Sequence, residues 1–397
     1  MESFKNTFNL LICTCLLLSC NYKRASEFVD SFYAIQSDTL LVLEKVYADS
    51  ADYLNHIGRM SVVPLPVELM FPLDEPHVFR NKNTLIFLDN NHAQLQIVSL
   101  SNDSLLLKKN LLGRGHGEVV FVSNSFIEKD TLYIFDGQKL NCYNTGGTFI
   151  GTINRQEFEM ADKVFKINNK YYAITHHNRN LIKVINNEGK ILSKLLNMPK
   201  FWNIYWTGRS DNMDFYVRDG SLHFFLHYDF RLFGLTNSDL GCLFQIKSDE
   251  LITYDDIQDI TEDDTEFITD HFLKLNSMDK YRSFNRFIET DSYYIFDLYK
   301  SDYAKSYIIS KNNNRISVLD YNGNDNFLPF LWYSLNFSGS DGDNIYALIG
   351  YSDFKYIIKR YPQDPLSMDL ADQLNQLYDG TKVQDNDMIL LSCEISD

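Results

Sequence analysis

The sequence predicts an all-β protein, a six-bladed β-propeller with four-stranded antiparallel blades. Three observations predict it. From about residue 75 onward, short apolar runs alternate with turns of Asn, Asp, Gly and Ser, the pattern of strands and hairpins. The runs fall into sets that recur with an average step of about 52 residues, close to the size of one propeller blade. Aromatics are 14% of the chain, with 25 Tyr and 29 Phe, side chains that pack well on a pleated surface.

The first set reads His77-Val-Phe, Thr84-Leu-Ile-Phe-Leu-Asp89, Gln94-Leu-Gln-Ile-Val and Ser104-Leu-Leu-Leu. The second reads Val119-Val-Phe-Val, Thr131-Leu-Tyr-Ile-Phe-Asp136, Lys139-Leu-Asn-Cys-Tyr and Thr148-Phe-Ile-Gly-Thr. The third reads Lys163-Val-Phe-Lys, Lys170-Tyr-Tyr-Ala-Ile, Asn180-Leu-Ile-Lys-Val and Lys190-Ile-Leu-Ser-Lys. The fourth contains Ser221-Leu-His-Phe-Phe-Leu-His and Phe230-Arg-Leu-Phe-Gly, and the fifth Ser292-Tyr-Tyr-Ile-Phe-Asp297 and Lys305-Ser-Tyr-Ile-Ile. The sixth contains Asn344-Ile-Tyr-Ala-Leu-Ile and Phe354-Lys-Tyr-Ile-Ile-Lys, both read as strands. An insertion at about 248–280 lengthens the fourth set.

Helical spacing is expected only at Asp369–Tyr378, where Leu370, Leu374 and Leu377 share one face of a short helix. The run Met388-Ile-Leu-Leu-Ser-Cys-Glu-Ile395 is a final strand, expected to complete one blade with strands from the other end of the chain. Residues 30–72, including Thr39-Leu-Leu-Val-Leu43, supply those strands or a plug. A stack of β-sandwiches is the rival architecture. It is disfavoured because no linker rich in Pro or Gly interrupts the step.

The first residues carry a separate message. Lys5 precedes the apolar run Leu10–Leu18, which is shorter than the ~20 residues of a membrane-spanning helix but suits a signal peptide. Leu17-Leu18-Ser19-Cys20 resembles the bacterial lipobox. The resemblance implies cleavage before Cys20 and acylation of that residue, with its lipid chains held in a bilayer. The expected organisation is signal peptide 1–19, lipidated tether 20–30, and one propeller domain 31–397. The cell envelope is the expected location, with the outer membrane as the anchoring bilayer. No acidic cluster follows Cys20, so periplasmic and outward-facing placements both stay open.

Net charge is −16, and such an acidic body repels phosphate backbones, which argues against nucleic acid as a partner. Cys142, Cys242 and Cys393 are odd in number, widely spaced and set in apolar runs. Buried thiols are the expectation, with one disulfide left open, and there is no zinc spacing.

Leu112-Gly-Arg-Gly-His-Gly-Glu118 follows the fourth strand of the first set. It resembles the Gly-Arg-Gly-Pro-Gly-Glu turn of the six-bladed, TolB-like propeller lipoproteins of Bacteroidetes, with His116 in the place of Pro. Asp385-Asn-Asp-Met-Ile-Leu-Leu resembles their terminal strand, with Asp387-Met388 where Asn-Pro is usual. The layout of most of the mature chain fits that family, and the resemblance implies the fold far more than any activity.

The glycine turn lacks the Lys-Ser/Thr of a phosphate loop and reads as a structural handover between blades. Handover loops and the loops between second and third strands emerge on one face of a propeller. Arg114, His116, Trp202, Tyr205, Trp206 and Arg209 lie in the former; His176, His177, Arg179, His227 and Arg231 lie in the latter. A rim of aromatic, His and Arg side chains on an acidic protein suits a glycan, peptide or small anion, with the Trp rings stacking and the Arg groups hydrogen-bonding. Packing of the Trp residues between blades is the competing reading. His223 and His227 share a strand face, yet no spacing fixes a metal ligand set, so neither metal nor cofactor is expected. Asp341-Gly-Asp-Asn344 reads as a hairpin turn and not as a calcium loop. No GxSxG or HExxH motif occurs. The favoured function is therefore a ligand- or partner-binding envelope propeller. The alternative is a hydrolase or lyase acting on a glycan or peptide at the same face.

Overall fold

The computed structural model describes residues 40–42, 50–65, 76–175, 180–197, 215–226, 229–237, 239–253, 256, 274, 277–282, 284–300, 303–320, 326–378 and 387–396. The chain begins with β1 (Leu40–Val42), α1 (Ser50–Asn55) and β2 (Ile57–Val63). Blade 1 holds β3 (Pro76–Asn81), β4 (Thr84–Asp89), β5 (Gln94–Ser99) and β6 (Ser104–Asn110). Blade 2 holds β7 (Asn124–Glu128), β8 (Thr131–Phe135), β9 (Lys139–Asn144) and β10 (Phe149–Asn154). Blade 3 holds β11 (Lys163–Ile167), β12 (Lys170–Ile174), β13 (Asn180–Asn186) and β14 (Ile191–Asn197). Blade 4 holds β15 (Phe215–Arg218), β16 (Ser221–Phe225), β17 (Arg231–Thr236) and β18 (Asp239–Lys247). Blade 5 holds β19 (Phe284–Glu289), β20 (Tyr293–Lys300), β21 (Tyr303–Ser310) and β22 (Ile316–Asp320). After α2 (Phe327–Ser334) come β23 (Asn336–Asp341), β24 (Asn344–Gly350), α3 (Tyr351–Arg360), α4 (Pro365–Tyr378) and β25 (Met388–Ile395).

The six sheets form a ring. Blade 6 is composite: its order is β2-β25-β24-β23, so the first and last parts of the chain share one sheet. Val62 faces Leu391 and Met60 faces Cys393 across the antiparallel β2–β25 pair. The expected closure is thus present. β1 is spent differently: it adds a fifth, parallel strand to blade 4 beside Gln245–Lys247 of β18.

The burial pattern explains the sequence pattern. Second strands such as β4 are buried from Leu85 to Asp89, because neighbouring blades cover both faces. Outer strands such as β10 alternate half-buried and exposed residues. The Asp that ends several second strands caps a turn. Asp89 Oδ1 accepts the amides of Asn91 and His92, and Asp136 Oδ1 those of Gln138 and Lys139. Apolar clusters fill the wedges between blades: one joins blades 1 and 2 around Leu88, Ile134 and Tyr143, another joins blades 6 and 1 around Phe87, Leu348 and Leu390.

Two strand expectations fail. The run at Phe354 is α3, not a strand. Its buried residues are Phe354 and Ile357, three apart, with Lys359 and Arg360 in the last turn where cations suit the helix dipole. The Val119 run is irregular; β7 starts at Asn124, and Val120 and Phe121 are exposed. Helices α1 and α2 were not expected either. α2 is apolar nearly all round, which hides its period, and it packs with Tyr53 of α1 through Trp332, in a T-shaped contact of 6.2 Å. Arg286 Nη1 donates to Trp332 O (2.8 Å) and Leu335 O (3.2 Å) at the end of α2, while its Nε pairs with Asp297. The hairpin at Asp341–Asn344 is as expected, with Gly342 at φ 59°. No disulfide joins Cys142, Cys242 and Cys393.

The seam between blades 6 and 1 depends on Gly339. A Cβ there would lie 2.2 Å from the carbonyl oxygen of Val78, so β23 approaches β3 more closely than any side chain allows. Gly339→Ala is therefore expected to lower the unfolding free energy by about 1–3 kcal/mol in urea titration. Leu391→Ala, in the middle of the closing strand, should cost about 2–5 kcal/mol in the same assay.

Candidate functional site

The innermost strands β3, β7, β11, β15, β19 and β23 surround an axial channel of about 280 Å³. All six blades contribute to its wall. Phe79, Phe126, Phe165, Phe215 and Phe287 line it, one from each of five inner strands. Val78, Ile127, Val217 and Ile288 add aliphatic surface. The rings continue into the wedges: Phe126 lies 5.3 Å from Phe165 and stacks on Tyr133 at 5.0 Å.

The mouth of the channel is charged. It lies where inner strands turn back into second strands, because Arg80, Asp291 and Asp341 there are exposed while His77 and Ser125 are not. Glu289 is its centre. Oε2 accepts from Tyr216 Oη (2.5 Å) and lies 2.8 Å from His223 Nδ1; Oε1 accepts from Lys311 Nζ (2.6 Å). Arg218 donates through Nη1 to the Glu289 carbonyl (2.8 Å) and through Nη2 to Asp291. Across the ring Arg80 Nη1 donates to Tyr346 Oη (2.8 Å) and pairs with Asp341 at 3.0 Å. Burial alone would push the Glu289 carboxyl up, but the hydrogen bond and charge of His223, and then Lys311, hold it down at about 2. Burial pushes the Lys311 ammonium down and the Tyr216 and Tyr294 phenols up. These groups bridge blades: Tyr216, Arg218 and His223 are in blade 4, Glu289 and Lys311 in blade 5.

Further from the mouth His77 and Ser125 form a polar pair. His77 Nδ1 lies 2.9 Å from Ser125 Oγ, linking blades 1 and 2. Burial, and then the nearby Lys163 ammonium, press the imidazole down to about 4, so it is neutral at physiological pH.

The rim expected from sequence is only partly visible. Cys20, His176, His177, Arg179, Trp202, Tyr205, Trp206, Arg209 and His227 lie outside the described residues. Arg114 and His116 are exposed, and the His116 ring packs on Phe149 at 4.7 Å. Their turn is internally tied. Gly115 N donates to Glu118 Oε2 (2.6 Å), Tyr143 Oη donates to Gly117 O (2.7 Å), and Gly117 has φ 73° with Phe149 against it. That is the structural handover the sequence suggested. Arg231 is buried, with Nε and Nη2 on the two oxygens of Asp229 at 2.8 and 2.6 Å and its guanidinium over Phe233. It fixes a corner of blade 4. His223 turns its Nδ1 to Glu289 Oε2. Among the described residues no cluster of three His, Cys, Asp or Glu side chains is placed to hold a metal ion.

The channel was missed because its lining is spread over six strands some 50 residues apart. A signal was present nonetheless: the first strand of each early set carries a Phe, in His77-Val-Phe, Ser125-Phe and Lys163-Val-Phe.

Neither a family model nor a curated protein matches the chain. Among solved structures, a Bacteroides fragilis protein described as exported superposes with a TM-score of 0.70 at 15% identity, over 90% of this chain and 99% of its own. Virginiamycin B lyase of Staphylococcus aureus reaches 0.37 at 10% identity, covering 73% of this chain and 81% of its own. Hydrazine synthase of Kuenenia stuttgartiensis reaches 0.38 at 11% identity, over 82% and 87%. The first shows that the fold is shared nearly end to end; the other two carry nothing about activity.

The Glu289 cluster makes a pH-dependent contribution to stability. A carboxyl depressed by folding stabilises fully above its unfolded value, near 4.3, and loses that stabilisation as pH falls through about 2. Urea unfolding from pH 7 to pH 2 should show this acid-side loss in the wild type. In Glu289→Gln a portion on the order of 3 kcal/mol should vanish from the pH profile, and the variant should be less stable at pH 7.

Proposed function

We propose that this protein is an exported envelope lipoprotein, anchored through Cys20, whose propeller is a binding module with its ligand seated in the axial channel. The channel carries the reading: it is a concave, mostly apolar cavity with a few convergent polar groups, near the small end of the ~300–1,000 Å³ range of small-molecule sites. The leader and the Leu17-Leu-Ser-Cys20 lipobox support export and anchoring, and the B. fragilis neighbour is itself described as exported. The resemblance to TolB-like propeller lipoproteins agrees with both. The channel displaces the opposite rim as the first place to look for a ligand.

Two measurements test the reading. Growth with an alkyne-bearing fatty acid should label the wild type and leave Cys20→Ser unlabelled; labelling of the variant would overturn the anchor. A thermal-shift panel of neutral aromatics, carboxylates, monosaccharides and dipeptides should contain at least one compound that raises the melting temperature. That shift should disappear in Val217→Trp and in Ile127→Trp, which fill the channel from blades 4 and 2. A shift that survives both substitutions would put the site elsewhere.

A further inference from the structure

The channel's chemistry narrows its ligand, on the proposal above that the channel is the binding site. We propose that it takes a small, uncharged, ring-containing molecule that carries one hydrogen-bonding group and offers it to His77 Nε2.

The wall decides the body of the ligand. Five phenylalanines and four aliphatic residues give a surface whose favourable contacts are with apolar rings. A monosaccharide would bury several hydroxyls against that wall with no partners, at about 1–3 kcal/mol for each one left unsatisfied.

The charges decide against an ionic ligand. An aromatic cage could hold a cation, but the ammonium of Lys163, buried and stacked on Phe215, acts on the channel from blade 3. Arg80 and Arg218 also line it. An anion would meet those arginines only at the mouth, where they are already committed. Arg80, Arg218 and Lys311 face Asp341, Asp291 and Glu289, cation for carboxylate. Ser340 Oγ is likewise committed, donating to the Glu289 carbonyl at 2.8 Å.

Away from the charged mouth, His77 is the lining side chain with a ring nitrogen to offer a ligand. His77 is half-buried on the wall, and its Nδ1 is taken by Ser125 Oγ. Among the described residues Nε2 has no hydrogen-bond partner. A neutral imidazole donates or accepts through that atom according to tautomer, with Ser125 able to answer either way. It asks for a hydroxyl or an amine-type N–H, without a countercharge.

Three probes with one ring system separate the possibilities: 2-naphthol, 2-naphthoate and 2-naphthylmethylamine, titrated calorimetrically into the mature protein at pH 7.5. Naphthol is expected to bind at least about tenfold more tightly than either charged probe. His77→Phe should weaken naphthol about tenfold, His77→Gln should restore most of it, and Val217→Trp should abolish it. Equal or tighter binding of a charged probe, or indifference to His77→Phe, overturns the ligand class. If Val217→Trp still abolishes binding in those cases, the channel reading stands. Naphthol binding that survives Val217→Trp lies outside the channel and overturns both. Failure of naphthol to bind, when the thermal-shift panel yields a channel-blocked sugar or carboxylate, overturns the ligand class alone.

Discussion

Everything in this molecule depends on closing a ring with the two ends of one chain. Five blades take their four antiparallel strands consecutively, but the sixth needs Ile57–Val63 from the beginning beside Met388–Ile395 from the end. Without that pairing, blades 5 and 1 would each leave an apolar flank in water, and the inner strands would not enclose a channel. The sequence around the closure is shaped by this demand. Leu390 and Leu391 are fully buried, one in the wedge toward blade 1 and the other in the wedge toward blade 5. Tyr53 and His56, just before β2, are fixed against blades 5 and 6. Tyr53 packs on Trp332, while His56 reaches Ser317 Oγ at 3.0 Å and Ser396 O at 2.9 Å. Gly339 then lets the seam shut at backbone distance.

Apolar wedges hold blades together but do not say which blade belongs beside which. The polar links around the mouth supply that information. Arg80 joins blade 1 to blade 6, and Glu128 takes the Asn168 amide across blades 2 and 3. Glu289 gathers Tyr216, Arg218 and His223 from blade 4, and Asp343 takes the hydroxyls of Thr290 and Ser292 across blades 5 and 6. A buried ion pair is a weak net contributor to stability, because desolvation offsets much of its attraction. Removing one partner is costly, however, and a misplaced blade would remove several at once. The collar therefore specifies the order of the ring more than it adds to its stability.

How far the sequence could be read follows from where each signal is stored. Middle strands, covered on both faces, are continuous apolar runs such as Thr84–Asp89 and Thr131–Phe135, and they are visible in any single window. The step between them reveals the blades. The lipobox-like run Leu17–Cys20 and the Gly113–Glu118 turn are local as well. Inner strands are short and each carries only part of the channel wall, so the Phe wall exists only after five separate segments are brought together. The partners of Glu289 lie 22, 66 and 73 positions away. α3 was misread because Phe354, Ile357 and Ile358 crowd into a run that looks like a strand, although the buried pair is spaced as in a helix. Arg231 looked like a rim residue because its bidentate partner, Asp229, stands two positions before it in what reads as a loop.

The same network bears on whether the channel recognises or reacts. A general acid or base must exchange a proton with its substrate near the working pH, and it must have a lone pair or proton to offer. Glu289 has neither to spare: three donors occupy its oxygens and it stays ionised down to about pH 2. Arg218 and Arg80 are drawn toward Asp291 and Asp341. His77 is neutral, and a group that protonates only near pH 4 is a weak base at neutrality, even with Ser125 Oγ at 2.9 Å. These groups are arranged to keep their protons where they are. On the proposed binding role, the aromatic wall is the part of this interior that would select among ligands.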